Sequence, residues 1–451
     1  MRHLIVPPTI SDHNSRLGGP ADQGADGPGA TYFLKPLEMS DPVINSSVVI
    51  AASVITLLVL FLPRVVNSTT WRATVTPLAS IIGSGFLVLG PILKHGFGEW
   101  GILVMGLLCG IAYLFGEAIR FNIAQYEQYK TQAGQGETGS SGAVPSLAQR
   151  LESLASIALT IAYVVSIAYY LNLFGAFAVS MTSVDDETHA RIVTTAALAF
   201  VGGFGWLKGF SALERLEEGT VGLKLAIICG LLVGFVAFFI EQLRGDGLYS
   251  SPDIPFDWQT LTVALGLVIT VQGFETSRYL GGEFDAATRI RTMKMSQWIS
   301  TSIYIVYIAL TTYCFTDDQV PESETGIIGM TRLVAPVLPV LLVVAALAAQ
   351  FSAAVADTGG CGGLTEEVTG GKVKSGTAFL IIAAVGIALT WVADIYSIIA
   401  YASRAFAAYY TLQCAVAAVL ARRQNQTPRA LWYAVLSAFA VCIVIFGSPA
   451  E

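Results

Sequence analysis

Apolar segments of about twenty residues recur along almost the whole chain, and they restrict its fold more than any other feature. Twenty residues of α-helix are long enough to span the ~30 Å hydrocarbon core of a bilayer. Only 13% of the 451 residues are charged, whereas roughly a quarter are charged in an average soluble protein. The chain is therefore predicted to be an all-α, multi-pass integral membrane protein of a plasma or inner membrane.

Twelve such segments are bounded by charged residues or by Pro and Gly clusters, and we predict one transmembrane helix for each. Their ranges are 45–63, 72–95, 99–119, 151–180, 190–207, 217–241, 258–280, 296–315, 331–354, 376–393, 396–420 and 431–447. Residues 1–44 are rich in Gly, Pro, Asp, Asn and Ser and are predicted to be a disordered tail. The polar segment 121–150 is predicted to be a flexible surface loop.

Lysine and arginine are distributed unevenly among the predicted loops. Sixteen of them lie in one set of alternating loops, and only four lie in the opposite set, which is acidic instead. Because cytoplasmic loops carry the positive excess in membrane proteins, the first set is predicted to be cytoplasmic. If 45–63 crosses the membrane, the N-terminal tail and Glu451 are both outside. The segment 45–63 could instead lie against the bundle without crossing.

Several classes of function are disfavoured by composition. The net charge of -7 offers no basic surface for nucleic acid. No two of the six cysteines form a CxxC pair, all four histidines fall in tails or loops, and the sequence contains no HExxH motif. We therefore expect no nucleic-acid partner, no metal site, no cofactor and no enzymatic activity, while the oligomeric state is left open by the sequence.

The predicted helix 72–95 contains two glycines around a serine, in the segment IIGSGF at 81–86. One interpretation is a broken helix whose freed backbone groups bind a polar substrate. The alternative is a small-residue surface that packs closely against another helix. The two differ in what they predict for Gly85→Val. The first expects lost substrate binding with little loss of stability, and the second expects a damaged fold.

The predicted helix 258–280 combines a glycine, an amide and a carboxyl group in Gln272, Gly273 and Glu275. A carboxylate inside a membrane is costly and usually functional. The alternative is that Glu275 forms an ion pair with Arg278, three residues further on. Counted from 72–95, this helix is the sixth, and glycine interruptions in corresponding first and sixth helices indicate an inverted-repeat transporter.

These segments resemble the amino acid-polyamine-organocation (APC) transporters. The resemblance rests on IIGSGF at 81–86, QGFE at 272–275, the loop GGEFDAATRIRTMKMS at 281–296 and GLKLAIICGLL at 222–232, and it covers about 72–420. It implies a five-plus-five inverted-repeat (LeuT-like) bundle with discontinuous first and sixth core helices. The repeats would be 72–241 and 258–420, with an extra N-terminal helix at 45–63 and a peripheral helix at 431–447.

The resemblance also implies roles for individual residues. The backbone of five first-helix residues would bind a substrate carboxylate, and carbonyls of three sixth-helix residues would bind its amine. These residues are Ser80, Ile81, Gly83, Ser84 and Gly85, and Val271, Gln272 and Gly273. The N-terminus of a half-helix favours anions and the carbonyls at its C-terminus favour cations, which are the preferences that such binding needs. Lys224 falls where many relatives place an ammonium in a sodium site, although a lysine near a helix end can also snorkel to the interface.

Coupling or gating roles are expected for a further set of residues. The set comprises Glu275, Tyr163 and Tyr169 on the third core helix, and Ser352 and Asp357 on the eighth. The tyrosines could equally be packing residues. Arg404 lies inside a predicted span and needs a partner, for which Glu275 and Asp357 are the candidates.

Together these features predict a secondary active transporter of a small-molecule substrate, an amino acid or a related small amine, that works by alternating access. It would be sodium-independent and either proton-coupled or an exchanger. The alternatives are a non-transporting membrane sensor on the same fold, or a transporter of another small organic or inorganic cation.

The loop charges generate a topology prediction. A cysteine introduced at Ser15 should react with an impermeant thiol reagent from outside intact cells, and one introduced at Gln424 should not. Labelling at Gln424 but not at Ser15 would reverse the orientation. Protection at both positions would mean that 45–63 does not cross the membrane.

Overall fold

The computed structural model describes residues 42–134, 144–245, 247–250, 254, 257–280 and 283–450, and the regular elements in these ranges are helical. The side chains of 42–44, 84, 130, 132–134 and 210–220 lie outside this description. The helices are α1 (Pro42–Leu60), α2 (Pro63–Val66), α3 (Thr69–Ser84), α4 (Phe86–Phe97), α5 (Gly101–Gly134), α6 (Ser146–Val179), α7 (Glu187–Lys208), α8 (Phe210–Arg244), α9 (Trp258–Gly266), α10 (Ala286–Cys314), α11 (Ile327–Val334), α12 (Leu338–Val368), α13 (Ser375–Val392), α14 (Ile395–Arg423) and α15 (Thr427–Phe446). The predicted tail up to residue 41 lies outside the described residues.

Eight helical segments of the described residues are long and apolar enough to cross a membrane. The protein is thus an all-α, multi-pass membrane protein, as predicted. The count of twelve spans and the inverted relation of the two repeats stay predictions. The extra helix is observed at Pro42–Leu60 and the peripheral one at Thr427–Phe446, each within a few residues of its predicted range.

The predicted loop at 121–150 is wrong at both ends, because α5 continues to Gly134 and α6 begins at Ser146. Residues 135–143 lie outside the described ranges. Polar residues of the extended α5 are buried, and Asn122 donates to the side-chain oxygen of Gln413 at 2.9 Å. A fall in hydropathy therefore marks the point where the helix meets polar partners inside the protein, not the point where it ends.

The predicted helix 331–354 is also corrected, since it separates into the short α11 and the long α12, which continues to Val368. The glycine-rich stretch after Asp357 stays helical because its small residues admit a neighbouring helix. A Cβ added at Gly362 would overlap the Phe379 ring of α13, whose Cζ would lie 3.1 Å away. Close packing offsets the low helix propensity of glycine there.

Two core helices are discontinuous. The first changes from α3 to α4 at Gly85, and the sixth consists of α9 followed by 3₁₀ turns at Val268–Val271 and Phe274–Arg278. The halves that the loop charges predict to be outer, α4 and α9, have 12 and 9 residues. At 1.5 Å per residue they reach roughly 18 Å and 14 Å, which is about half of a ~30 Å hydrocarbon core. Halves of this length predict that both breaks lie near the middle of the membrane.

The two breaks contact each other through their glycines. A Cβ at Gly85 would lie 2.6 Å from the Cα of Thr270, and one at Gly273 would lie 2.7 Å from the backbone nitrogen of Ile81. Gly273 also has a φ of 118°, which favours glycine. The expectation that Gly85→Val leaves the fold intact is therefore wrong, because the first and sixth helices touch backbone to backbone at this position.

Gly83 differs from Gly85, and the difference provides a test. A Cβ at Gly83 would make ordinary contacts of 3.5 Å with Ala353 and with the Lys224 ammonium. We expect Gly85→Val to destabilise the protein by about 3 kcal/mol or more, since overpacking against backbone cannot relax through a side chain. Gly83→Ala should change stability by less than about 1 kcal/mol. Thermal unfolding of both variants in detergent measures this, and equal melting temperatures would contradict the assigned contact.

Candidate functional site

A serine satisfies the backbone groups that the break in the sixth helix releases. The Ser403 hydroxyl of α14 donates to the carbonyl of Gly266 at 2.6 Å and accepts from the Ile269 amide at 2.9 Å. All backbone groups in a membrane interior need partners, because water is not there to supply them. Ser403 therefore holds the non-helical segment in one conformation, at a position that the sequence analysis did not identify.

A tyrosine links the two discontinuous helices. The buried Tyr304 hydroxyl of α10 lies 2.9 Å from the carbonyl oxygen of Ile81 and 2.8 Å from that of Thr270. One hydroxyl proton is thus shared between two backbone acceptors, one from each break. Tyr304 is also missing from the sequence-based candidates, because a tyrosine inside an apolar helix carries no signal of this kind.

Lys224 is fully buried on α8, so the snorkelling interpretation is wrong. Its ammonium donates to the carbonyl oxygen of Ala79 at 2.7 Å, just before the first-helix break. A Cβ at Gly83 would lie 3.5 Å from the same nitrogen. A cation is therefore fixed against the inner half of the first helix.

Glu275 is fully buried at the break in the sixth helix. Its Oε2 accepts from the Gly273 amide and from the Tyr410 hydroxyl, each at 3.0 Å, while Oε1 has no hydrogen-bond partner among the described residues. The alternative pairing with Arg278 is wrong, since Arg278 forms its ion pair with Glu152 of α6. Glu275 therefore joins the break in the sixth helix to Tyr410 of α14 and leaves one carboxyl oxygen without a partner among the described residues.

Two buried amides lie beside the breaks. Gln272 donates to the Tyr170 hydroxyl at 2.7 Å, and Gln350 of α12 donates to the carbonyl of Gly83 at 3.3 Å. The side-chain oxygens of both glutamines have no partner among the described residues. Each can accept a hydrogen bond from a bound solute or from water.

A cavity of about 1000 Å³ reaches from the surface to the inner half of the first helix. Its wall comes from the ends of α1 and α3, from α6, α8 and α12, and from the end of the sixth helix. Buried Ala79, Tyr163 and Asp357 lie deep in the wall, and exposed Arg72 and Glu367 lie towards the mouth. The mouth is on the side that the loop charges predict to be cytoplasmic.

The structure brings most of the predicted site residues together. Gly273 packs against Ser80 and Ile81, while Val271 and Gln272 are buried beside the Tyr304 link. Ser84 ends α3, and its side chain is outside the described set.

The candidate gating residues divide into two groups. Tyr163 and Asp357 line the cavity. Tyr169 and Ser352 are not among the described residues that line it. Asp357 accepts a short hydrogen bond from Ser166. Tyr169 is buried, and its ring centroid lies 5.4 Å from that of Tyr170. Ser352 is buried on α12.

Arg404 does not pair with either predicted partner. Its Nε donates to the backbone carbonyl of Gly447 at 2.6 Å, just after α15. The predicted pairing with Glu275 or Asp357 is wrong because a backbone carbonyl at the end of a helix, which sequence does not reveal, supplies the acceptor.

Comparison with known proteins identifies the family. A family model described as APC superfamily transporter matches residues 63–447. The chain belongs to this superfamily. An uncharacterised protein of Aquifex aeolicus (strain VF5) is 37% identical over 419 residues, which are 92% of this chain and 100% of that one.

Two solved structures are similar at low identity. A manganese transporter mutant of Eremococcus coleocola is 14% identical, with a TM-score of 0.49, over 84% of this chain and 86% of that one. A Na⁺-coupled sialic acid symporter in its substrate-bound outward-open state is 14% identical, with a TM-score of 0.44, over 90% and 97% of the two chains.

The role assigned to Ser403 can be tested by removing its hydroxyl. Ser403→Ala leaves the Gly266 carbonyl and the Ile269 amide without their partner, and we expect a loss of about 1–3 kcal/mol of stability. Ser302→Ala is the matched control, because Ser302 is exposed and bonds only within its own helix, to Trp298. Thermal unfolding in detergent measures both, and equal small losses would contradict the role of Ser403.

Proposed function

We propose that this APC transporter is a secondary active transporter of an amino acid or a related small amine, working by alternating access. The observation that carries the proposal is the Lys224 ammonium held 2.7 Å from the carbonyl of Ala79, where an inner half-helix meets the cavity. The junction at Gly85 and the irregular segment of the sixth helix meet each other, as the binding segments of such transporters do. The solute would move between this depth and the open cavity.

The two breaks would bind the two ends of an amino acid. Amide groups of residues 80–85, at the junction of α3 and α4, would bind the carboxylate next to the N-terminus of α4, since helix N-termini favour anions. Carbonyl oxygens of 271–273 would accept the amine. The unpaired oxygens of Gln272 and Gln350 support this proposal, because each needs a donor that an ammonium supplies.

Sodium independence follows from the position of Lys224 in the same proposal. A cation fixed on α8 supplies the positive charge that a bound sodium ion would otherwise bring to the Ala79 carbonyl. A second positive charge beside it would be repelled strongly in a medium of low dielectric constant. Transport therefore needs no sodium gradient.

Proton coupling would involve Glu275. Its free Oε1 and its bond to Tyr410 connect the sixth helix to α14, so gain or loss of a proton would alter a contact between moving elements. Tyr163 and Asp357 on the cavity wall would gate the inner path. The alternative that the protein is an exchanger, which needs no net proton movement, stays undecided.

A second candidate, transport of another small organic cation, is favoured by the charge of the cavity. Its wall carries Asp357, Glu283 and Glu367 against the single guanidinium of Arg72. Among the described residues no group of three or more His, Cys, Asp or Glu side chains could hold a metal ion, so an inorganic metal is not favoured. A sensor that does not transport has no observation in its support.

Uptake into proteoliposomes tests the proposal. A panel of amino acids and polyamines, with and without imposed proton and sodium gradients, should yield a substrate whose uptake is unaffected by sodium. Lys224→Ala should abolish this uptake while the amount of folded protein is unchanged. Lys208→Ala removes an exposed lysine and should have no effect. Strong sodium dependence in the unmodified protein would contradict the proposal.

A further inference from the structure

The extra helix α1 lies along a face of small residues on α8. A Cβ added at Gly230 would lie 2.9 Å from the carbonyl oxygen of Val49, and one at Gly234 would lie 2.8 Å from the Val49 side chain. Near the start of α1, Asn45 donates to the carbonyl of Val334 at 3.3 Å. Small residues at intervals of four let two helices approach closely in a membrane. α1 is therefore held firmly to the helix that carries Lys224.

The end of α1 reaches the mouth of the cavity. Leu60, Phe61 and Val66 belong to the cavity wall, opposite the inner half of the first helix. Phe61 is 56% exposed, yet its ring contacts α8, since a Cβ at Gly222 would lie 2.8 Å from ring atom Cε2. Gly222 is only two residues before Lys224. The ring therefore packs on α8 and forms part of the cavity wall, which α3 also lines.

Residues 61–68, here called the strap, connect α1 to α3. The strap contains the single turn of α2 and ends at Ser68, whose hydroxyl caps α3 by accepting from the Trp71 amide at 3.4 Å. If the cavity closes by bringing the wall formed by Trp71, Arg72 and Thr76 towards α8, the Phe61 ring against Gly222 would lie in the path of that movement.

We propose that Phe61 is a wedge that stabilises the conformation in which the cavity is open. Because α1 is anchored to α8, it holds the Phe61 ring in place. The strap connects this ring to the first helix. The proposal rests on the proposed function only in needing alternating access, and it holds whichever solute is carried. If the extra helix served only to seal α8 from lipid, the ring at its end would have no effect on the cavity.

Thiol labelling tests the wedge without any substrate. Thr76→Cys places a reporter at an exposed position on the cavity wall. The background variant carries Cys229→Ala and Cys442→Ala, because these two native cysteines are not fully buried. The rate of reaction with a charged thiol reagent, measured on the full chain in detergent, then reports how often the cavity is open.

We expect Phe61→Ala to slow labelling of the reporter about five-fold, which is about 1 kcal/mol at 1.4 kcal/mol per factor of ten. The matched control is Leu58→Ala, since Leu58 lies at the end of α1, three residues before Phe61, is 65% exposed and is not among the described residues that line the cavity. The control should label at the unmodified rate. Labelling that is unchanged or faster in Phe61→Ala overturns the proposal, as does equal slowing by Leu58→Ala.

A second variant covers the case in which Phe61→Ala does not fold. Phe61→Leu keeps a smaller apolar side chain, and it should slow labelling about two-fold. This change in rate corresponds to roughly 0.4 kcal/mol by the same conversion. An unchanged rate in a folded Phe61→Leu overturns the wedge in that case. If the uptake panel yields no substrate, the proposed substrate class is contradicted. The expected labelling rates are unaffected by that result.

Discussion

The structure depends on satisfying the backbone groups that two helices release in the middle of a membrane. An amide or carbonyl left without a partner there costs several kcal/mol. The chain supplies side chains for this purpose from two other helices, α14 and α10, and from the sixth helix itself. Ser403 completes the segment after α9, Tyr304 joins the two breaks, and the Thr276 hydroxyl donates to the carbonyl of Gly273 at 2.7 Å. The arrangement of α10 and α14 around the sixth helix follows from this requirement.

Glycine has two different uses in the same short segments. Gly85 and Gly273 let the first and sixth helices touch, and a side chain at either position would meet backbone. Gly83 has room for a methyl group and faces the Lys224 ammonium. The packing interpretation of the IIGSGF segment is thus supported at Gly85, while the binding interpretation stays a prediction for Gly83.

The sequence predicts the helical membrane fold, the family and the position of both breaks, because these depend on hydropathy and on local glycine patterns. It does not predict where the long helices end. α5 and α12 continue through polar residues such as Asn122 and Asp357, whose partners come from distant parts of the chain. The acceptor for Arg404 is a backbone carbonyl, which every residue possesses. A role that depends on three-dimensional contact between common groups leaves no mark in a single sequence.

The length of α5 and α6 has a consequence for the passage of solutes. Each has 34 residues, or roughly 51 Å of helix, against a hydrocarbon core of ~30 Å. The excess lies at the end of α5 and the start of α6, where Glu127 pairs with Arg289 and Glu152 with Arg278. These ion pairs add a polar layer to the end of α5 and the start of α6. Under the proposed function, a solute that leaves the cavity on this side would pass these charged groups before it reached bulk water. A change in bilayer thickness would move the hydrocarbon boundary along these polar helix ends without reaching the breaks.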